Sequence, residues 1–160
     1  MIDASIVRAH QHAAGGRGGQ CYQALGRSCG GLSSKIHAKV DSFGMPVKFI
    51  ITGGERQECT QANALIGEDH SDYLLADRAY DQDELRDNLH LQGTTPVIPG
   101  KKNRKITVEY DKHIYKERNI IERFFNQIKH FRRIATRYDK TVLMFMGGLT
   151  VVSILLWLKF

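Results

Sequence analysis

One amphipathic segment around position 120 limits the folds that are open to this chain. Its apolar side chains recur at intervals of one helix face, and they are Ile121, Phe124, Phe125, Ile128 and Phe131. This periodicity predicts a long helix over about 114–134 that packs one face on a core.

A second face of the same predicted helix carries Tyr115, Arg118, Glu122 and Lys129. These residues are spaced by three, four and seven positions, so at about 100° per residue they lie within roughly 60° of arc. The two faces are roughly a third of a turn apart, which lets the second face line the rim of a cleft while the first is buried. A single carboxylate among cations on a half-buried helix suggests a group that binds metal or phosphate.

The chain is basic and has the length of one domain. It has 160 residues, with 23 Lys and Arg against 17 Asp and Glu, for a net charge of +6. A basic surface favours a polyanion such as nucleic acid, and a solvated basic face is the alternative. The three cysteines cannot all pair with one another, and no secretory signal opens the chain, so we expect reduced thiols and a cytoplasmic location.

The remaining patterns predict a mixed sheet covered by helices, as a single domain over residues 1–160. A strand stub at Met1–Ser5 suggests that the first strand is truncated and that the chain is the downstream part of something longer. Alternating and apolar runs predict strands, and periodic runs predict helices. The predicted strands are 35–42 and 47–52 as a hairpin, 73–76 and 95–98, and the predicted shorter helices are 60–66 and 81–91.

The C-terminal segment is strongly apolar. Residues 141–158 are eighteen positions without a charge, which is at the lower edge of the length that spans a membrane. A helix that is apolar all round can also be buried in a core. Gly147, Gly148 and the polar Thr150 and Ser153 favour the buried helix over a tail anchor, so we expect no membrane association.

Three carboxylates stand on separate predicted elements. Asp3 ends the strand stub, Asp77 ends an apolar strand 74 residues later, and Glu122 lies 45 residues further on the long helix. If the fold brings them together, their repulsion favours a divalent cation, and oxygen ligands suit Mg²⁺ or Mn²⁺. Seventeen acidic residues offer many such triples, so unrelated surface carboxylates are the alternative.

The spacing Tyr115-x2-Arg118-x3-Glu122-x6-Lys129 resembles the Y-R-E-K signature of bacterial insertion-sequence transposases with a DDE catalytic domain. Residues 119–129 and 132–140 are similar to the subgroup founded on insertion sequence five. Residues 77–81 (Asp-Arg-Ala-Tyr-Asp) resemble the second acidic motif of that group, and residues 1–5 with 8–15 resemble the first. The likeness covers nearly the whole chain.

This resemblance implies a ribonuclease-H-like fold and Mg²⁺-dependent cleavage at transposon ends, followed by strand transfer into target DNA. It implies that Asp3, Asp77 and Glu122 are catalytic ligands of two Mg²⁺ ions, with Mn²⁺ as a substitute. It further implies that Arg118 and Lys129 hold DNA phosphates or end bases and that Tyr115 lies beside the DNA; for Arg118 an ion pair with Glu122 is the alternative.

The resemblance also marks what the chain lacks. Members of the family carry more of the first strand and a separate helical DNA-binding region upstream, so the product of an upstream reading frame is an expected partner. A homodimer is compatible with the need to bring two element ends together. The alternative function is a non-catalytic DNA-binding remnant that regulates the full enzyme.

Overall fold

The computed structural model describes residues 1–159 as a mixed α/β fold. Seven strands are present in this range: β1 (Ile2–Ala9), β2 (Gly26–Ser28), β3 (Gly31–Val40), β4 (Pro46–Gly53), β5 (Tyr73–Leu75), β6 (Thr95–Val97) and β7 (Thr136–Arg137). Seven α-helices accompany them: α1 (Gly19–Tyr22), α2 (Ala62–Ile66), α3 (Asp83–Leu91), α4 (Lys112–Tyr115), α5 (Asn119–Lys129), α6 (Arg132–Ala135) and α7 (Val142–Trp157).

The main sheet has the order β2-β3-β1-β7, and β4 pairs with the other part of β3. The strands β1 and β3 run antiparallel with Asp3 opposite Ala38, whereas β7 runs parallel to β1 with Arg8 opposite Thr136. The strands β5 and β6 form a separate parallel pair. This curled mixed sheet flanked by helices is compatible with the predicted ribonuclease-H-like fold.

Two apolar cores lie among these elements. One joins side chains of β1 and β3 to α5, α6 and α7, and it contains Phe124, Ile128 and Phe145. The other joins Ile2 to α2, β5, α3 and Ile98, which follows β6, and it contains Leu65 and Leu85. The strand β1 therefore contributes to both cores, which fixes its position between the two sets of helices.

The predicted strand at Met1–Ser5 is longer in the structure, because β1 continues to Ala9. Its extension is stabilised by pairing with β3 on one side and with β7 on the other. Asp3 consequently lies near the beginning of the strand and not at its end. The short strands β2 and β7 were not predicted, since two or three residues carry no periodic signal.

The predicted long helix is present but interrupted. Its first turn begins after Asp111, whose side chain accepts hydrogen bonds from the amides of His113 and Ile114. A 3-10 turn at Lys116–Arg118 joins α4 to α5, and the helix ends at Lys129 because Phe131 is extended. The break, which the prediction of a helix up to residue 134 missed, lets α6 lead the chain back to pair β7 with β1.

The apolar C-terminal segment forms α7, which begins at the cap residue Thr141. Phe145, Leu149 and Val152 are buried, whereas Leu143 and Val151 are exposed. The helix is thus half-buried, not enclosed on all sides as predicted. In residues 1–159 no helix combines the length and the apolar character that a membrane span requires.

Candidate functional site

Asp3 points from β1 toward the helical segment that contains Arg118. Its Oδ1 accepts a hydrogen bond of 2.8 Å from the amide of Ala4, and its Oδ2 lies 3.3 Å from Nη1 of Arg118. Burial of the carboxyl raises the pKa of Asp3 to about 6, and Arg118 only partly opposes this effect. The residue is therefore a desolvated carboxylate that gains from a nearby positive charge.

Asp77 reaches the same place from the other sheet. The apolar residues of β5 and the buried Ala76 lead directly to it, as the sequence predicts. Its Oδ1 caps a 3-10 turn at Arg78–Tyr80 by accepting a 2.8 Å hydrogen bond from the amide of Ala79. This cap fixes the carboxylate at the end of the strand.

The structure brings Asp3 and Asp77 together with a third carboxylate, Glu58. One carboxylate oxygen of each residue lies within 4.8 Å of the others. Glu58 begins a 3-10 turn at Glu58–Gln61 and lies 3.4 Å from Nζ of the buried Lys35. Burial raises the pKa of Glu58, and the charge of Asp77 adds to that effect.

Glu58 was not predicted as a site residue. It follows the hairpin of β3 and β4 in a polar stretch, where nothing in the local pattern separates it from its exposed neighbour Glu55. The available signal for Glu58 was that it is an acidic residue shortly after the strand β4, as Asp77 is shortly after β5. Its position depends on the packing of its turn against the turn at Arg78–Tyr80.

Glu122 lies on α5 beside this cluster and is held by Arg118. The guanidinium of Arg118 binds the Glu122 carboxylate four residues later and also binds Asp3. The guanidinium of Arg118 therefore lies between Glu122 and Asp3, and Glu122 is not a member of the group formed by Asp3, Asp77 and Glu58. Its role as a metal ligand stays a prediction, and the ion pair considered for Arg118 is present.

The other two residues of the predicted face also point toward β1 or Arg118. Nζ of Lys129 donates a 2.6 Å hydrogen bond to the hydroxyl of Ser5, two residues after Asp3 on β1. The ring of Tyr115 lies 5.7 Å from the guanidinium carbon of Arg118 and contacts the ring of Tyr110 edge-on. The four residues share one surface, but their contacts with DNA stay a prediction.

The donor set fits a divalent cation. Three carboxylates with oxygens this close repel one another, and oxygen ligands are those that Mg²⁺ and Mn²⁺ prefer. In addition, the hydroxyl of Tyr80 is buried and has no hydrogen-bond partner among residues 1–159, although it is near the cluster. Both observations indicate a site that is incomplete without a further polar group.

The family model described as a transposase DDE domain matches residues 1–155. The chain belongs to the family of DDE transposase domains. The family is metal-dependent, which agrees with the acidic cluster. The subgroup founded on insertion sequence five stays a prediction.

Two relatives support the assignment to the DDE transposase family. A Brucella ovis protein, named as a proposed transposase for insertion sequence element IS6501, is 38% identical over 133 residues, which are 80% of this chain and 100% of that protein. A Burkholderia cepacia protein, named as a proposed transposase for insertion sequence element IS402, is 29% identical over 119 residues, which are 67% of this chain and 54% of that protein. The match therefore spans about half of the second relative. No solved structure matches the chain.

Proposed function

We propose that this DDE transposase domain cleaves phosphodiester bonds at transposon ends and transfers the strand into target DNA. The observation that carries the proposal is the meeting of Asp3 and Asp77 in one carboxylate cluster, although 74 positions separate them in sequence. The reaction takes place on DNA in the cytoplasm, and Mg²⁺ is the proposed cofactor, with Mn²⁺ as its substitute.

Asp3, Asp77 and Glu122 would hold two divalent ions in this proposal. Such a pair activates the attacking hydroxyl and stabilises the leaving oxygen of the phosphodiester. Asp3 and Asp77 each accept a hydrogen bond from a nearby backbone amide, so their carboxylates are oriented before any ion binds. Glu122 is paired with Arg118, and it would leave that ion pair to serve as a ligand of an ion.

Arg118, Lys129 and Tyr115 would hold the DNA beside these carboxylates. Both cations contact β1, since Arg118 binds Asp3 and Lys129 binds Ser5, and this supports a role in holding a phosphate beside the cluster. Tyr115 lies against Arg118, which supports the guanidinium in this position. A homodimer would bring two element ends together, and the product of an upstream reading frame would supply the recognition of end sequences.

The test is Mg²⁺-dependent nicking and strand transfer with DNA that carries the inverted repeats of the element. We expect Asp77→Asn and Glu122→Gln to reduce both steps at least 100-fold. Asp87→Asn and Glu117→Gln are matched controls, because both residues are exposed and lie on α3 and on the turn before α5. Equal activity of Glu122→Gln and the wild type would refute its assignment as a ligand.

A non-catalytic DNA-binding function is the second candidate. The ion pair that occupies Glu122 favours it, since Glu122 is not available to an ion as long as Arg118 binds it. This function predicts DNA affinity whose logarithm falls linearly with the logarithm of the salt concentration, without cleavage in Mg²⁺ or Mn²⁺. Cleavage that depends on Asp77 would reject it.

A further inference from the structure

The position of Glu58 is set by the fold and not by chance proximity at the surface. The strand β4 ends at Gly53, and the chain then returns through a 3-10 turn that packs on the turn following Asp77. The side chain of Glu58 is 23% exposed, and that of Lys35, whose Nζ lies 3.4 Å away, is nearly buried. Glu58 is thus directed toward Asp3 and Asp77 from an element that neither of them belongs to.

A buried hydroxyl provides an independent indication of a ligand at this place. Tyr80 is 0% exposed, and its hydroxyl makes no hydrogen bond with residues 1–159. The hydroxyl lies within electrostatic range of Glu58, Asp3 and Asp77. A buried O–H group without a partner is unfavourable, so a polar occupant of the cluster would satisfy a group that the protein alone leaves unpaired.

The charges around the cluster also favour a cation. Lys35 lies 3.4 Å from Glu58, and Arg118 lies 3.3 Å from Asp3, whereas Asp77 has no ion pair with residues 1–159. Three carboxylates therefore face two cations, one of which is also bound to Glu122. The group keeps a net negative charge that a divalent ion would neutralise.

We propose that Glu58 is a direct ligand of a divalent cation shared with Asp3 and Asp77, and that the hydroxyl of Tyr80 donates a hydrogen bond to a water ligand of that cation. This inference rests on the proposed function, because it deepens the description of the same site. The inference assigns the two glutamates to different ions. Glu58 is a ligand of an ion that binds without DNA, and Glu122 is a ligand of a second ion. The cluster is complete for the first ion while Glu122 is still paired with Arg118.

The test measures binding of Mn²⁺ alone to the full chain, by titration calorimetry and by the electron paramagnetic resonance signal of the free ion. We expect Glu58→Gln to weaken the tightest site at least 10-fold, and Tyr80→Phe to weaken it about 2-fold to 10-fold. The matched control Glu55→Gln, at an exposed glutamate three residues before Glu58, should leave this site within 2-fold of the wild type.

Unfolding by urea in the absence of metal checks that each variant folds. Should Glu58→Gln fail to fold, Glu58→Asp keeps the charge but withdraws it by one methylene, and it should also weaken Mn²⁺ at least 5-fold. Wild-type affinity in the folded Glu58 variants, or the absence of Mn²⁺ binding by the wild type, would overturn the inference.

The outcomes also separate this inference from the proposed function. If Glu58→Gln loses Mn²⁺ binding and the wild type does not cleave DNA, Glu58 is supported as a ligand and the transposition chemistry is rejected. DNA cleavage that depends on Asp77 and Glu122, together with unchanged Mn²⁺ binding in Glu58→Gln, would support the transposition chemistry and reject Glu58 as a ligand.

Discussion

Replacing Asp3 by Asn should stabilise the metal-free protein at neutral pH. The Asp3 carboxyl is 15% exposed, and its pKa rises from 3.8 to about 6 because burial disfavours the charged form. That difference corresponds to about 3 kcal/mol of free energy of unfolding. Asn resembles the protonated acid in shape and can still accept the hydrogen bond from the amide of Ala4.

The dependence on pH gives the prediction its sign. Because the folded protein binds the Asp3 proton more tightly than the unfolded chain does, it holds more protons between about pH 4 and pH 6. The contribution of Asp3 to stability is therefore fully present below about pH 4 and is lost as the pH rises through 6. The Asn variant does not lose it, so its advantage grows from near zero at pH 4 to about 3 kcal/mol at pH 7.5.

The assay is urea unfolding in EDTA, followed by far-ultraviolet circular dichroism from pH 4 to pH 7.5. The difference between variant and wild type isolates Asp3, since other titrating groups are common to both proteins. In a thermal melt at pH 7.5 without urea, the melting temperature of the Asn variant should be about 6–12 °C above that of the wild type. Asp87→Asn, at an exposed position of α3, is the matched control and should change stability by less than about 0.5 kcal/mol.

Added Mn²⁺ should reverse the order, because the wild type binds the ion to the ionised Asp3 and the variant does not. A variant that is less stable than the wild type at pH 7.5 without metal would refute the reasoning. So would a stability difference that is independent of pH.

Three further predictions concern the core and the groups around the site. His37 is buried and the pKa of its ring is lowered to about 4 by burial and by Lys35; as the pH falls from about 6.5 to 4 the wild type should therefore lose about 3 kcal/mol relative to His37→Gln, measured by urea unfolding, and parallel pH profiles would contradict this. Phe124→Ala should cost about 3–5 kcal/mol in the same assay, because the ring is buried between Phe49 and Phe125, and a loss below 1 kcal/mol would show that this core is not packed as described. Arg118→Gln should raise Mn²⁺ affinity about 2-fold to 10-fold in calorimetry, since it removes a cation that competes for the carboxylates, and weaker binding would exclude such competition.

The sequence predicts the long helix well because its two signals are local. The apolar spacing specifies which side chains are buried, and Ile121, Phe124 and Ile128 are all found in the core. The helix break before Phe131 has no such signal, since neither Gly nor Pro precedes it. It is set by the pairing of β7 with β1, which is a contact between residues more than a hundred positions apart.

The same distinction explains which parts of the site are predictable. Asp77 follows an apolar strand, and the strand itself carries the carboxylate to the sheet edge. Glu58 belongs to an irregular turn whose position depends on the turn at Arg78–Tyr80, so no periodicity marks it. The exposure of half of α7 was not predictable for a related reason. Its apolar residues are spread over all sides of the helix, which indicates burial on every side but does not show how much of its surface the neighbouring elements cover.

The arrangement around Arg118 shows that the spacing of a sequence signature can predict which residues lie near one another without predicting which of them are in direct contact. The spacing predicts that Arg118 and Glu122 share one helix face. In the structure Arg118 binds Asp3, and Glu122 binds Arg118. Spacing alone, however, does not distinguish a carboxylate that meets Asp3 directly from one that meets it through a guanidinium. Without a divalent ion the positive charge of Arg118 is the available means of joining the two carboxylates. We therefore expect the competition between that guanidinium and an ion to decide whether Glu122 joins the proposed metal site.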